Sequence, residues 1–194
     1  MPAYQSPDVR NLVVGKANVY FKREGDTERR HIGNVTAFGA EPTIETLEHY
    51  SSMAGVRTRD RVVTLTRSAT LTMTLEEWTP ENLAIAFLGE VDTDSDGNTV
   101  VLGLTQDLIR GELFAEMSND VGPRYNFEFG SVALRPAGSV GIISEEWAEI
   151  EIEGDIEAVT PPGEVARFWT ATLVGGSSGT ESTAPTATDT ETNT

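Results

Sequence analysis

The stretch Val62–Glu76, VVTLTRSATLTMTLE, decides the fold. Val63, Leu65, Ala69, Leu71, Met73 and Leu75 fall on one face, with Arg67 the only break. Thr64, Thr66, Ser68, Thr70, Thr72 and Thr74 fall on the other. Successive side chains of an extended chain point to opposite faces, so period two predicts a β-strand. The run is more than twice the usual strand length of about five or six residues. It therefore predicts one long bent strand, or two strands meeting near Arg67–Ser68. Its polar face is built from hydroxyls on mostly β-branched side chains and carries no charge until Glu76.

Further strands are expected at Ala17–Arg23, His31–Phe38, Thr43–Tyr50, Leu108–Met117, Tyr125–Leu134, Trp147–Ile156 and Ala166–Val174. One helix interrupts them. Thr79 suits the N-cap, Pro80 the first helical position and Glu81 the positive N-terminal end. Leu83, Ile85, Ala86, Phe87 and Leu88 give it apolar faces, and Gly89 is placed to end it. Many strands with a lone helix predict a mainly β fold, an antiparallel β-sandwich or barrel with one flanking α-helix. The domain spans residues 17–174, after an N-terminal arm at 1–16. Residues 175–194, GGSSGTESTAPTATDTETNT, have no large apolar side chain. They cannot offset the entropy of ordering, so a disordered tail is expected there.

The chain of 194 residues has a formal net charge of −17 and no cysteine. Disulfides and thiolate chemistry are excluded. Nonspecific nucleic-acid affinity comes from cations that displace phosphate counterions, and this composition is the reverse. No apolar run is long enough to span a bilayer. The opening, MPAYQSPDVRNLVV, lacks a basic segment followed by an apolar one, so no secretory signal is expected.

Several motifs invite chemical readings. Asp92, Asp94, Asp96 and Gly97 in VDTDSDGNT match the first half of an EF-hand calcium loop. The twelfth position is Gly103, where a bidentate Glu is needed. These aspartates are weak metal candidates, a polar turn explains them as well, and no cofactor is expected. In Trp147–Ile156, WAEIEIEGDI, Ala148, Ile150, Ile152 and Ile156 face one way and Glu149, Glu151, Glu153 and Asp155 the other. Like charges at i and i+2 repel, so that face is well hydrated, opposed by cations, or useful for its field. The run resembles the E-I-D-I-E signature of a β-jelly-roll glycoside hydrolase family, but Glu151 stands where that family has Asp. His31 and His49 have no zinc-ligand spacing. We assign no catalytic residue. Arg57, Arg59 and Arg61 alternate after the small-residue stretch Ser51-Ser52-Met53-Ala54-Gly55, a loop tip suited to clasp an acidic partner.

The order of features along the chain resembles the major tail tube proteins of long-tailed phages. The likeness rests on Pro7–Leu12, Gly15–Phe21, Gly33–Val35, Glu41–Ser52, the Thr-rich strand, and Glu76–Leu83. It is close over the first half and follows pattern alone to about Val174. The resemblance implies a structural virion protein whose hexameric rings stack into a hollow tube that conducts DNA. It implies self-assembly, a tape-measure protein and a tail terminator as partners, no membrane, and a place in the virion after synthesis in the host cytoplasm. Beside it, Glu149, Glu151, Glu153 and Asp155 are the first candidates for a lumenal acidic wall, with Glu112 and Glu116 second. Arg57, Arg59, Arg61, Ser51, Ser52 and Met53 are the candidates for ring stacking. A monomeric extracellular β-sandwich binding module, calcium-dependent or not, is the alternative.

Overall fold

The alternation in Val62–Glu76 becomes part of a single 18-residue strand in the computed structural model, which describes residues 8–174 apart from Ala54 and Ser144. In chain order the elements are β1 (Ala17–Arg23), β2 (Arg30–His31), β3 (Val35–Ser51), β4 (Thr58–Leu75), α1 (Pro80–Ala86), β5 (Glu90–Thr93), β6 (Thr99–Leu102), β7 (Ile109–Met117), β8 (Arg124–Pro136), β9 (Ile150–Ile156) and β10 (Thr170–Val174). The large sheet runs β2-β1-β7-β8-β9-β4-β3, with β10 also on β8. Every pairing in it is antiparallel. β5 and β6 form a separate hairpin.

The connectivity forces the sheet to curl. β2 and β3 lie at opposite ends of the strand order, yet only Ile32, Gly33 and Asn34 separate them in the chain. An extended chain covers at most about 3.6 Å per residue, so the two ends must meet. The connecting peptide is fastened to both. Ile32 N donates to Val19 O on β1 at 3.1 Å, and Glu76 N, just past β4, donates to Asn34 O at 3.1 Å. No ladder closes the sheet into a barrel among the described residues, which corrects the barrel expectation. β3 remains an edge strand, and Pro42 within it has no N–H to offer a further ladder. The sequence suggests separate strands, one ending at Phe38 and one starting at Thr43, where the structure has one; an edge position tolerates the proline between them without a break.

The inside of the curl is the core. Val19, Phe21, Leu71, Met73, Leu113, Phe129 and Ile152 are fully buried there. Each such side chain contributes roughly 1.5–3 kcal/mol over exposure. β8 serves two neighbours on one edge. Its first half pairs β10 and its second half β9, and a bulge at Gly130–Ser131 lies between. The extra residue bends the strand and makes the change of partner possible.

α1 packs across the end of the curl through Ile85 and Ala86. Thr79 Oγ1 accepts from Asn82 N at 3.2 Å, as the N-cap expectation requires. The C-terminus differs from expectation. Leu88, not Gly89, takes the left-handed turn, at φ 50. Gly89 instead lets the β5–β6 hairpin approach, since a Cβ there would lie 2.2 Å from Leu102 O.

Asn82 is fully buried and fastens the β2–β3 junction to the helix. Its Nδ2 donates to Ile32 O at 2.8 Å and to Glu77 O at 2.9 Å. Asn82→Ala strands these carbonyls and should lower the unfolding free energy by about 2 kcal/mol. Urea melts would check this, with exposed Glu81→Ala near neutral as the control.

Candidate functional site

Two surfaces stand out, one on the sheet's outer face and one projecting from it. In β9, Ile150, Ile152, Gly154 and Ile156 turn inward, leaving Glu151, Glu153 and Asp155 outward. A Cβ at Gly154 would lie 2.8 Å from Leu134 Cδ2, so only glycine fits that inward position unchanged. The β4 register then sets Thr74 opposite Glu151, Thr72 opposite Glu153 and Thr70 opposite Asp155. Glu41 on β3 follows beyond Thr70. The threonine face and the acidic face are thus one surface.

Glu112 and Glu116 on β7 belong to the same outer face. Arg110, two residues from Glu112, is in register with Ala133, and Ala133 with Asp155. The acids differ in how they are held. Lys22 Nζ lies 3.3 Å from Glu112 Oε1, and Arg29 Nη1 lies 2.8 Å from Glu116 Oε1. Arg29 also covers the Tyr20 ring at 4.8 Å. Arg135 Nε donates to Glu153 Oε1 at 2.8 Å, and its Nη1 pairs with Asp155. Asp155 first, then Glu153, raise the pKa of this guanidinium above its ordinary value. Arg135 therefore relieves the repulsion along β9, a role invisible locally because it sits just past the expected end of its strand. Glu149 lies before β9, exposed; neither it nor Glu151 has an ion pair among the described residues.

The second surface is the distal half of the β3–β4 hairpin. From Thr43 to Ser51 and from Thr58 to Ser68 no residue is buried. β9 pairs β4 only from Ala69 to Leu75, so among the described residues both edges of the ribbon are free beyond that point. A shift in register at Glu45/Thr46 places a bulge at Leu65. Beyond it, Val62 and Thr64 share the core-side face of the ribbon, and Val63 is turned to the other. Val63 and Leu65, expected to join the core stripe, are exposed instead. Ile44, Leu47 and Val62 are exposed too, Leu47 at 59% and tip residue Met53 at 98%. Ser51 ends β3, and Ser52 and Met53 open the turn.

The three arginines of this arm behave differently. Arg59 Nη1 lies 2.5 Å from Glu48 Oε1 within the hairpin, and Tyr50 Oη donates to the same carboxylate at 2.5 Å. Tyr50 first, then Arg59, lower the Glu48 pKa. Arg57 sits over the Tyr50 ring at 5.7 Å. Arg61, in register with His49, has no ion pair among the described residues. His49 Nδ1 lies 2.6 Å from Asp60 Oδ1.

The VDTDSDGNT stretch is the β5–β6 hairpin turn, with Gly97 at φ 85. Asp94 Oδ1 accepts from Asp96 N at 2.9 Å and from Asn98 N at 2.8 Å, and Oδ2 from Asn98 Nδ2 at 2.9 Å. Asp92 Oδ1 accepts from Thr93 N at 2.7 Å. The Asp94 carboxylate is committed to the turn, and Asn98 above all lowers its pKa. Among the described residues no group of three or more His, Asp or Glu is placed to hold a metal ion. His31 and His49 are not brought together; His31 accepts from Gly33 N and packs edge-on to Tyr20.

Of the N-terminal arm, residues 8–16 are described. Asp8 caps a short helical turn at Val9–Asn11, and Arg10 holds its carboxyl at about 2. Lys16 Nζ pairs with Asp120 at 2.9 Å. Val9, Leu12 and Val14 are exposed. The expected tail, residues 175–194, lies outside the described residues.

The sequence model of a family described as "Protein of unknown function UCP028589" matches residues 13–121. No curated protein matches the chain. A chain of the solved structure described as "Tail of empty GTA particle computed with helical refinement, C6 symmetry" is similar at 16% identity and a TM-score of 0.38. That likeness covers 72% of this chain and 89% of the other.

Proposed function

We propose that this chain, which belongs to the family described as "Protein of unknown function UCP028589", is a structural subunit that assembles with its own copies into the hollow tube of a phage-type tail. The observation that carries this reading is the projecting arm. A two-stranded ribbon alone in water is at best marginally stable. Free strand edges and contiguous exposed apolar residues are hazards that a working monomer blunts. Here the ribbon keeps Ile44, Leu47, Val62, Val63 and Leu65 exposed along free edges. A neighbouring copy that covers the ribbon removes both hazards.

The rest of the reading follows the resemblance of the residue pattern to tail tube proteins. Copies close as hexameric rings, and rings stack. The outer sheet face with Glu151, Glu153, Asp155 and the threonines beside them lines the channel, with Glu112 and Glu116 on the same face. An acidic, hydroxyl-rich wall keeps a polyanionic duplex off the surface. The protein acts by assembly, with no catalytic step. A tape-measure protein inside the tube and a terminator at its end are its virion partners. We prefer this reading to a calcium-dependent module because Asp94 already accepts three hydrogen bonds within its own turn.

Purified full-length protein should form hollow rings or tubes in negative-stain images, with a matching shift in sedimentation velocity. A protein that stays monomeric at every concentration up to its solubility limit, and makes no ring when mixed with tail components, overturns the reading.

A further inference from the structure

We propose that the β3–β4 arm of one copy is received by the β8–β9 connection of a second copy. The inference rests on the tube reading above and names the surface that takes the arm.

The connection, residues 137–149, joins β8 to β9. Ile142, Ile143 and Trp147 in it are exposed, Ile143 at 96% and Trp147 at 92%. Glu145, Glu146 and Glu149 give it three negative charges and no positive one. The arm, residues 43–67, has four arginines against Glu45, Glu48 and Asp60. It is a locally cationic ribbon in a chain of formal charge −17. Each patch combines exposed apolar side chains with a net charge opposite to the other's. Such complementarity steers encounter and fixes register.

The two patches do not cover each other within one molecule, where Ile143, Trp147, Leu47 and Met53 all stay exposed. β9 begins where Ile150 pairs with Leu75, so the connection lies at that end of β4. The arm leaves the body past Ala69, at the other end, and its tip is at the Ser51–Thr58 pair. Seventeen residue steps separate Thr58 from Leu75, roughly 55 Å along a strand rising about 3.3 Å per residue. A patch and its complement at opposite ends make a heterologous contact, which propagates head to tail. Stacked rings need such a contact along the tube axis. Trp147 is the expected anchor, since large aromatics dominate interface energetics.

The chain has no cysteine, so engineered pairs report cleanly. Leu47→Cys with Ile143→Cys should cross-link between copies into a ladder of multimers. Trp147→Ala should raise the concentration for half-maximal assembly about 30-fold. Arg57→Glu with Arg61→Glu, or Glu145→Arg with Glu149→Arg, should each block stacking. The combined charge swap should restore it, and a mixture of the two blocked variants should stack again with the two variants in equal amounts, since each then meets the charge it complements. Unaltered circular dichroism melts exclude misfolding. Tubes that form normally with Trp147→Ala and with Glu145→Arg/Glu149→Arg, and give no cross-link, overturn this pairing and leave the tube reading standing. So do normal tubes that lose only a different virion component, which assigns the connection to that partner. A wild-type chain that never assembles overturns both.

Discussion

Replacing residues 46–65 by Asn-Gly, so that Glu45 turns directly into Thr66, is expected to leave a folded monomer that makes no ring or tube at any concentration. The register supports the design, because Glu45 and Thr66 are already opposite each other. Asn-Gly closes such a two-residue hairpin with the twist that the strands need. None of the buried core residues lies between Ile44 and Ser68, so the excision removes nothing that packs the domain. Unfolding free energy should change by less than about 1 kcal/mol, as for surface changes remote from the core. Solubility should rise, because Leu47, Met53, Val56, Val62, Val63 and Leu65 leave with the arm. Assembly should be lost outright, not merely weakened, since the ribbon and both its free edges are gone. Sedimentation velocity and negative-stain images of the excised chain would check it. Rings from the excised protein would remove the arm from the assembly mechanism. A melting temperature lowered by ten degrees or more, on the order of several kcal/mol for a domain this size, would make the arm structural instead.

Much of this arrangement was legible locally, and the limits have physical causes. The faces of β9 followed from period two, because isoleucines alternating with carboxylates fit one buried face only. The N-cap at Thr79 followed from its side chain and the adjacent proline. What escaped is what neighbours decide. The stripe from Val63 to Leu75 read as one core face broken only at Arg67. The bulge at Leu65 breaks it, and nothing in VVTLTR marks a bulge. The strands expected to end at Phe38 and to start at Thr43 run on as one, because an edge strand absorbs the missing donor of Pro42. Trp147 was expected within the strand and lies outside it, exposed. The acidic and threonine faces became one surface only through the pairing of Glu151 with Thr74, residues distant in sequence. Register of that kind is set by the whole sheet. Arg135 as the counterion of Glu153 and Asp155 depends on the same long-range pairing. Composition gave the sign of the surface, and topology alone gave its place.

That acidic surface supports the second large effect. Tubes built from the triple variant Glu151→Lys, Glu153→Lys and Asp155→Lys are expected to hold duplex DNA that wild-type tubes let pass. Each reversal changes the charge by two, taking the formal net charge of a chain from −17 to −11. The change is concentrated on one strand, where Arg135 now stands beside lysines instead of its two carboxylates. If the face lines a sixfold channel, every ring presents a collar of cations at the same level. Each phosphate contact then releases counterions, so affinity should fall linearly with salt on logarithmic axes, with a slope near −0.9 per phosphate neutralised. Wild-type tubes should show no such binding at about 50 mM salt, where electrostatic attraction is least screened. Assembly should survive, because these side chains are on the sheet face and not on the arm. The neutral variant Glu151→Gln, Glu153→Gln and Asp155→Asn separates loss of repulsion from gain of attraction. It should leave DNA unbound while removing the field that centres it. Nuclease protection locates the bound duplex. DNA resistant to nuclease inside lysine-variant tubes, together with slowed genome ejection from particles that carry them, places the face in the channel. DNA that binds the variant but is digested freely puts the face on the outside of the tube, and ejection at the wild-type rate removes it from the DNA path.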